Sequence, residues 1–171
     1  EQNFTTPCTP ATWPPELYNA PFLQACRREP TAYTPGWLMR QAGRYMHEYR
    51  QVRARLPFLE LCKTPDLATE VTVTAVERLG VDAAIIFADI LLMLEPMGMQ
   101  LEFTAGDGPV LANPIRRPDD VARLRDIDAA VALDFVMQAI TMTRAQLKRH
   151  IPLIGFAGAP FTLASYMLEG G

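Results

Sequence analysis

The spacing of hydrophobic positions changes several times along the chain, and each change marks an element. From Leu17 to Arg28, the apolar Leu17, Phe22, Leu23 and Cys26 predict a short helix. Pro30 and Pro35 bracket a turn, after which Trp37-Leu38-Met39 reads as a buried strand. His47 to Arg55 reads as a helix that Pro57 ends. The next helix is marked at both ends: Thr64 at the N-cap, Pro65 at the first helical position, Asp66 in the first turn, a stripe of Leu67, Val71, Ala75 and Leu79, and Gly80 as the stop. Asp82 to Phe87 is apolar on both faces and too short for a helix, the pattern of a strand covered on two sides. Leu101, Phe103 and Val110 alternate about Gly106-Asp107-Gly108, a hairpin signal. Pro118-Asp119-Asp120 opens a short helix to Arg125. Asp128 to Arg149 predicts the longest helix, with Val131, Phe135, Val136, Ala139 and Leu147 inward. Pro152 to Ala157 predicts a third buried strand, and Gly158-Ala159-Pro160 turns into a last helix bearing Tyr166.

Strand and helix in alternation predict an α/β protein with parallel strands. The residues suited to chemistry follow the strands: Arg40 and Arg44 after the first, Asp89 after the second, Tyr166 beyond the third. In (β/α)8 barrels the carboxyl ends of the strands host the active site, and a whole barrel takes about 250 residues. This chain supplies about three of the eight strands. Residues 1–16 carry Pro7, Pro10, Pro14 and Pro15 among threonines and predict a disordered or extended lead-in, without the charged and apolar regions of a secretory signal. Residues 17–171 are expected to form the N-terminal part of one barrel domain. A start at Glu1 and a stop at Gly171 directly after a helix lead us to expect a piece of a longer chain.

Composition narrows the classes. With 171 residues, 49% hydrophobic and 20% charged, the sequence has the balance of a globular domain with one sizeable core. No apolar run approaches the roughly 18 residues a membrane span needs. A net charge of −3 without basic and aromatic residues interleaved argues against nucleic acid. Cys8, Cys26 and Cys62 are odd in number and widely spaced, so neither a disulfide framework nor a zinc site is expected, and a reducing, cytoplasmic setting fits. His47 and His150 are the only histidines, and no metal-ligand cluster forms around them in sequence.

Against that acidic background the positive charge is local. From Arg40 to Arg55 five arginines (40, 44, 50, 53 and 55) stand against one acid, Glu48. Arg50, Arg53 and Arg55 could be a solvated helix face. Arg40 and Arg44 instead flank Gln41-Ala42-Gly43 just past an apolar run. A glycine there lets backbone approach a ligand, and guanidinium forks match carboxylate or phosphate two bonds at a time. Asp89 reads either as a cap after a strand or as a functional acid, and Tyr166 as a packed aromatic or a cleft residue.

Three stretches taken together carry a resemblance: Trp37-Leu-Met-Arg-Gln-Ala-Gly-Arg-Tyr-Met46, Asp82-Ala-Ala-Ile-Ile-Phe-Ala-Asp-Ile-Leu91, and Gly155-Phe-Ala-Gly-Ala-Pro-Phe-Thr-Leu-Ala-Ser-Tyr-Met-Leu-Glu-Gly-Gly171. In this order the chain resembles the uroporphyrinogen decarboxylase family from about Leu17 to its last residue. The resemblance implies a (β/α)8 barrel, a homodimer when full length, no metal and no organic cofactor. It implies removal of carbon dioxide from the four acetate arms of uroporphyrinogen III to give coproporphyrinogen III in haem biosynthesis. By motif, Arg40, Gln41, Ala42, Gly43 and Arg44 match the family's substrate-binding segment, Asp89 its central aspartate, Tyr166 a cleft tyrosine and Arg53 a further arginine. Asp89 and Arg40 are the implied catalytic pair. The family's cleft serine and histidine fall later than Gly171. Other readings are a corrinoid-linked methyltransferase of the same fold, which would need a zinc site, and a truncated, non-catalytic fragment.

The implied substrate carries eight carboxylates and four pyrrole N–H groups, which need opposite partners. Arginines answer the first and a buried carboxylate the second. Loss of carbon dioxide leaves electrons that a ring protonated beside the arm can accept, so an ionised Asp89 beneath the ring would stabilise the cation. A guanidinium is a poor acid at its usual pKa, so a substrate carboxyl or a water relayed through Arg40 are equally open as the proton source.

Overall fold

Prolines set where most of the helices begin. The structure, a computed structural model, describes residues 13–104 and 108–171. α1 (Pro15–Tyr18) and α2 (Pro21–Cys26) each start on a proline, whose missing N–H has no partner to lose in a first turn. The single helix expected over 17–28 is thus two, divided at Pro21. The lead-in expected over 1–16 lies outside the described residues up to residue 12, and Pro15 already begins α1.

The expected strand at Trp37 does not form. Residues 34–38 run without regular structure, and Leu38 and Met39 are exposed. Pro35 has no N–H to give a ladder, and the backbone bond that joins this run to the next strand segment is Asp82 N–H to Gly36 O, 2.9 Å. The Asp82 carboxylate completes the link by accepting from Gly36 N–H (2.7 Å) and the Tyr33 hydroxyl (2.5 Å).

α3 (His47–Arg53) is followed directly after Pro57 by α4 (Phe58–Lys63), a helix too short to leave a periodic signal. α5 (Pro65–Leu79) matches its expected bounds and closes on Gly80 in the left-handed conformation (φ +63°). Thr64 stands at its N-cap position but does not cap it, because its hydroxyl donates back to Glu60 O at 2.7 Å.

Of the apolar run 82–87 only β1 (Ala84–Ile85) is regular strand. β2 (Leu101–Thr104) and β3 (Gly108–Leu111) form the expected antiparallel hairpin, with Leu101 opposite Leu111. Gly106 and Asp107 of its turn lie outside the described residues. Pro118–Arg123 is a 3₁₀ segment held by Asp120, whose carboxylate accepts from the N–H groups of Arg116 and Arg117.

The predicted long helix is broken into α6 (Ala129–Ala132), capped by the Asp128 carboxylate, and α7 (Asp134–Gln146). Leu133 leaves the helical conformation (φ −114°, ψ 30°), which turns Val131 off the stripe of Ala139, Thr143 and Leu147 and leaves it 74% exposed. β4 (Leu153–Ile154) and α8 (Pro160–Glu169) complete the chain.

β1 and β4 pair in parallel, Ala84 opposite Leu153 and Ile85 opposite Ile154, so the α/β reading with parallel strands holds for the centre of the fold. α5 covers this pair and lies along α7 through a polar seam. Thr143 donates to Thr69 Oγ1, which donates to Ala139 O, both at 3.3 Å. One turn on, Thr72 Oγ1 donates to Ala68 O (2.7 Å) and accepts from Phe87 N–H (2.9 Å), which fixes the carboxyl end of the β1 run against α5. A second core gathers Leu91, Leu94, Met99, Leu101, Leu111, Ile115 and Leu163 between the hairpin and α8.

Candidate active site

The segment 40–46 is built as a small scaffold that leaves two cations outward. The Tyr45 hydroxyl bonds Gln41 O and reaches Arg40 O at 3.3 Å, and Arg50 Nη1 donates to Arg44 O (2.8 Å) and Tyr45 O (3.1 Å). Met46 is buried, and Ala42 packs on the cluster of Val52, Leu61 and Val71, where Tyr49 and Phe87 also lie. With the backbone so tied, Arg40 and Arg44 remain exposed, and their guanidiniums take no hydrogen-bond or ion-pair partner among the described residues. Arg50, by contrast, belongs to the scaffold.

Gln41 departs from the pattern of its neighbours. It is only 2% exposed, with Nε2 donating to Ala83 O at 2.6 Å and Oε1 accepting from Ile85 N–H at 3.2 Å. Its amide faces β1.

Asp89 lies four residues past β1, at the carboxyl end that the Thr72 bond to Phe87 secures. It is partly buried. Oδ1 accepts from Leu91 N–H at 2.8 Å, a local turn bond; the helix-capping role foreseen as its alternative does not form, because the 3₁₀ turn that follows, Leu92–Leu94, has Leu91 at its N-cap and no side chain capping it. Oδ2 takes no hydrogen bond from the described residues. Burial pushes the Asp89 carboxyl above the usual carboxylate range, opposed by the Leu91 N–H. Among the described residues no cation pairs with it.

Arg53 is tied inward: it bonds Leu56 O and lies over the Phe58 ring, its Cζ 5.9 Å from the centroid. Two residues that the sequence did not single out link it to Asp89. Tyr49 packs on Phe87 (centroids 5.7 Å apart); burial raises its hydroxyl pKa while the charges of Arg53 and Arg44 act the other way. The Cys62 thiol is pushed up to about 12 by burial first and by the Asp89 carboxylate second, against the opposing charges of Arg53 and Lys63. The fields of Arg53 and Asp89 thus meet at one buried sulfur. Neither Tyr49 nor Cys62 carries a sequence signal, since each acts by where packing puts it.

Tyr166 lies on α8, partly buried against the core that contains Leu91 and Leu163, with Ile90 packed on the same core. It shares a cluster with the two residues that follow Asp89, and its hydroxyl has no hydrogen-bond partner among the described residues. Two hollows lie elsewhere. One of about 10 Å³ sits between α3 and α5, and one of about 200 Å³ lies at the N-terminal ends of β1 and β4, lined by Val81, Asp82, His150 and Ile151 among others. Neither is lined by Arg40, Arg44, Asp89 or Tyr166.

Comparison with known proteins agrees with the motifs. A family model described as Uroporphyrinogen decarboxylase (URO-D) matches residues 17–171. The chain is 58% identical over 153 residues to uroporphyrinogen decarboxylase from Carboxydothermus hydrogenoformans, covering 90% of this chain and 44% of that protein. It is 57% identical over 150 residues to the same enzyme from Sorangium cellulosum, covering 88% and 43%. The chain therefore spans less than half the length of the curated relatives it matches. Among solved structures, a methyltransferase from Methanosarcina mazei superposes with a TM-score of 0.60 over 86% of this chain and 44% of that one, at 20% identity, a likeness of fold alone.

Proposed function

The chain belongs to the uroporphyrinogen decarboxylase family, and we propose that it contributes the first strands of a (β/α)8 barrel and the anion-binding half of a site for a polyacidic tetrapyrrole. The observation that carries this reading is a pair of opposites. Arg40 and Arg44 stand without partners among the described residues on a braced loop, and Asp89, half-buried at the end of the β1 run, has no cationic partner among them either. The substrate is uroporphyrinogen III, and the reaction is cofactor-free loss of carbon dioxide from its four acetate arms.

Arg40 and Arg44 hold the arm carboxylates by charge-assisted bonds. A proton added to the ring carbon beside an arm makes an iminium-like cation. The electrons of the bond to the departing carbon dioxide flow into that ring and leave an exocyclic methylene. A second proton converts the methylene to methyl, and the ring proton departs, so each arm consumes one proton net. Asp89 lies in a partly desolvated position where its charge acts on the cation with little screening by water. Approach of the cation draws its raised pKa back down, so it works as the carboxylate. Arg40 orients the arm and the water or carboxyl that delivers the proton. Tyr166 lends its hydroxyl to an arm, and Arg53 supports the arginine side through Tyr49. The complete protein is proposed to act in the cytoplasm as a homodimer.

Uroporphyrin, the stable oxidised form, serves as the binding probe. The chain is expected to bind it with quenching of tryptophan fluorescence, and replacing Arg40 or Arg44 by alanine should weaken binding by roughly tenfold or more each, the worth of a hydrogen bond to a charged group. Equal affinity in the wild type and in the doubly substituted chain would remove the arginines from the site.

A further inference from the structure

The two groups that Gln41 bonds are not arbitrary. Ala83 O and Ile85 N–H flank Ala84 on the edge of β1 that faces away from β4. The β4 side of the same run is served by Ala84 N–H to Pro152 O (2.9 Å) and Ile86 N–H to Ile154 O (3.0 Å). In a parallel ladder, the residue opposite position j donates to the carbonyl of j−1 and accepts from the N–H of j+1. The Gln41 carboxamide makes that pair of bonds opposite Ala84 by itself. It stands where the peptide groups of a neighbouring strand would be, and the backbone around Trp37 forms no strand there. A carboxamide presents its N–H donor and its carbonyl acceptor on separate atoms held in one plane, as a peptide group does.

We infer that Gln41 is a positioning residue, not a contact for the ligand: by docking onto β1 it sets where Arg40 and Arg44 stand relative to Asp89. Arg40 is the residue before it and Arg44 the third after it; Asp89 is the fourth after Ile85. At 2% exposure, with Nε2 and Oε1 both engaged by β1, the amide is turned away from any ligand at the surface. What it does offer is rigidity, since the amide itself is buried and a loose one would leave Ala83 O and Ile85 N–H on the β1 edge without their partners. A displacement on the order of 1 Å between groups that grip one ligand costs about a hundredfold in reactions that depend on their geometry. The inference rests on the proposed tetrapyrrole site and gives one of its matched residues a different task.

The test separates the tether from the site. Gln41→Met keeps length and apolar bulk but removes both bonds. Amide hydrogen exchange should speed up at Ile85 in this variant, while Ala84 and Ile86, bonded to β4, keep their protection. Affinity for uroporphyrin should fall by about tenfold in the otherwise wild-type chain, yet hardly change when Arg40 and Arg44 are already alanine, because a residue that acts through others is non-additive with them. The same loss in both backgrounds would overturn the inference and make Gln41 an independent contact. Should the methionine variant not fold, Gln41→Glu, which keeps the acceptor for Ile85, is run through the same cycle, and rapid exchange of Ile85 in the unaltered chain would overturn the tether with no variant at all. Failure of the wild-type chain to bind uroporphyrin overturns the proposed function, whereas Ile85 protection that depends on Gln41 still supports the tether.

Discussion

At the scale of residues, Asp89 shows how function and stability pull apart. Its carboxyl is raised by burial and carries one backbone bond, so protonation favours the folded state. A carboxyl whose folded pKa exceeds its unfolded one contributes stability that is complete below the unfolded value and is lost as pH rises through the folded one. Asp89→Asn keeps an oxygen for Leu91 N–H and has no charge to desolvate. It is therefore expected to match the wild type in urea unfolding below about pH 4 and to be the more stable protein at pH 7, while weakening any function that needs the carboxylate. A wild type that is the more stable at pH 7 would mean that Asp89 has a cationic partner in solution. Arg40, Arg44 and Asp89 were legible in the sequence as unusual charges after apolar runs. The burial of Gln41 was not, because its neighbours are exposed and polar residues between arginines read as surface.

At the scale of elements, the legible ones were those whose stops and starts are chemical. Pro65 and Gly80 gave α5 its bounds, and Asp128 gave α6 its start. The contrast between two glycines tests this. Gly80 and Gly36 both have open space where a Cβ would go, but only Gly80 has a positive φ (+63°). Gly80→Ala should lower the unfolding free energy by about 1 kcal/mol through backbone strain alone, and Gly36→Ala should leave it nearly unchanged; equal effects in urea denaturation would contradict the capping account. The misreadings include the strand expected at Trp37, the single helix over 17–28, the full strand over 152–157 and the unbroken helix over 128–149. An apolar triplet becomes a strand only if a neighbour offers its edge, and here a side chain has taken that edge. Leu133 breaks a periodic pattern without any glycine or proline to announce it.

At the scale of the whole molecule, β1 and β4 form a parallel sheet of two strands, with Trp37, Leu38, Met39, Phe156 and Phe161 exposed, the last by 83%. Open strand edges and exposed apolar side chains favour pairing with further chain. The 171-residue chain made alone is expected to self-associate, and light scattering that shows a monomer would refute this. What the sequence by itself determined was the bounds of α5, the β2–β3 hairpin, the family, and the local excess of guanidiniums, because periodicity, caps and charge are properties of neighbours along the chain. Only the tertiary structure decided that the amide of Gln41 would complete the edge of β1, that Thr72 would hold the end of that run, and that Cys62 would lie within reach of the charges of both Arg53 and Asp89. These are contacts between residues nine to more than forty positions apart, fixed by packing and by the need to satisfy buried backbone groups, and no local pattern encodes them.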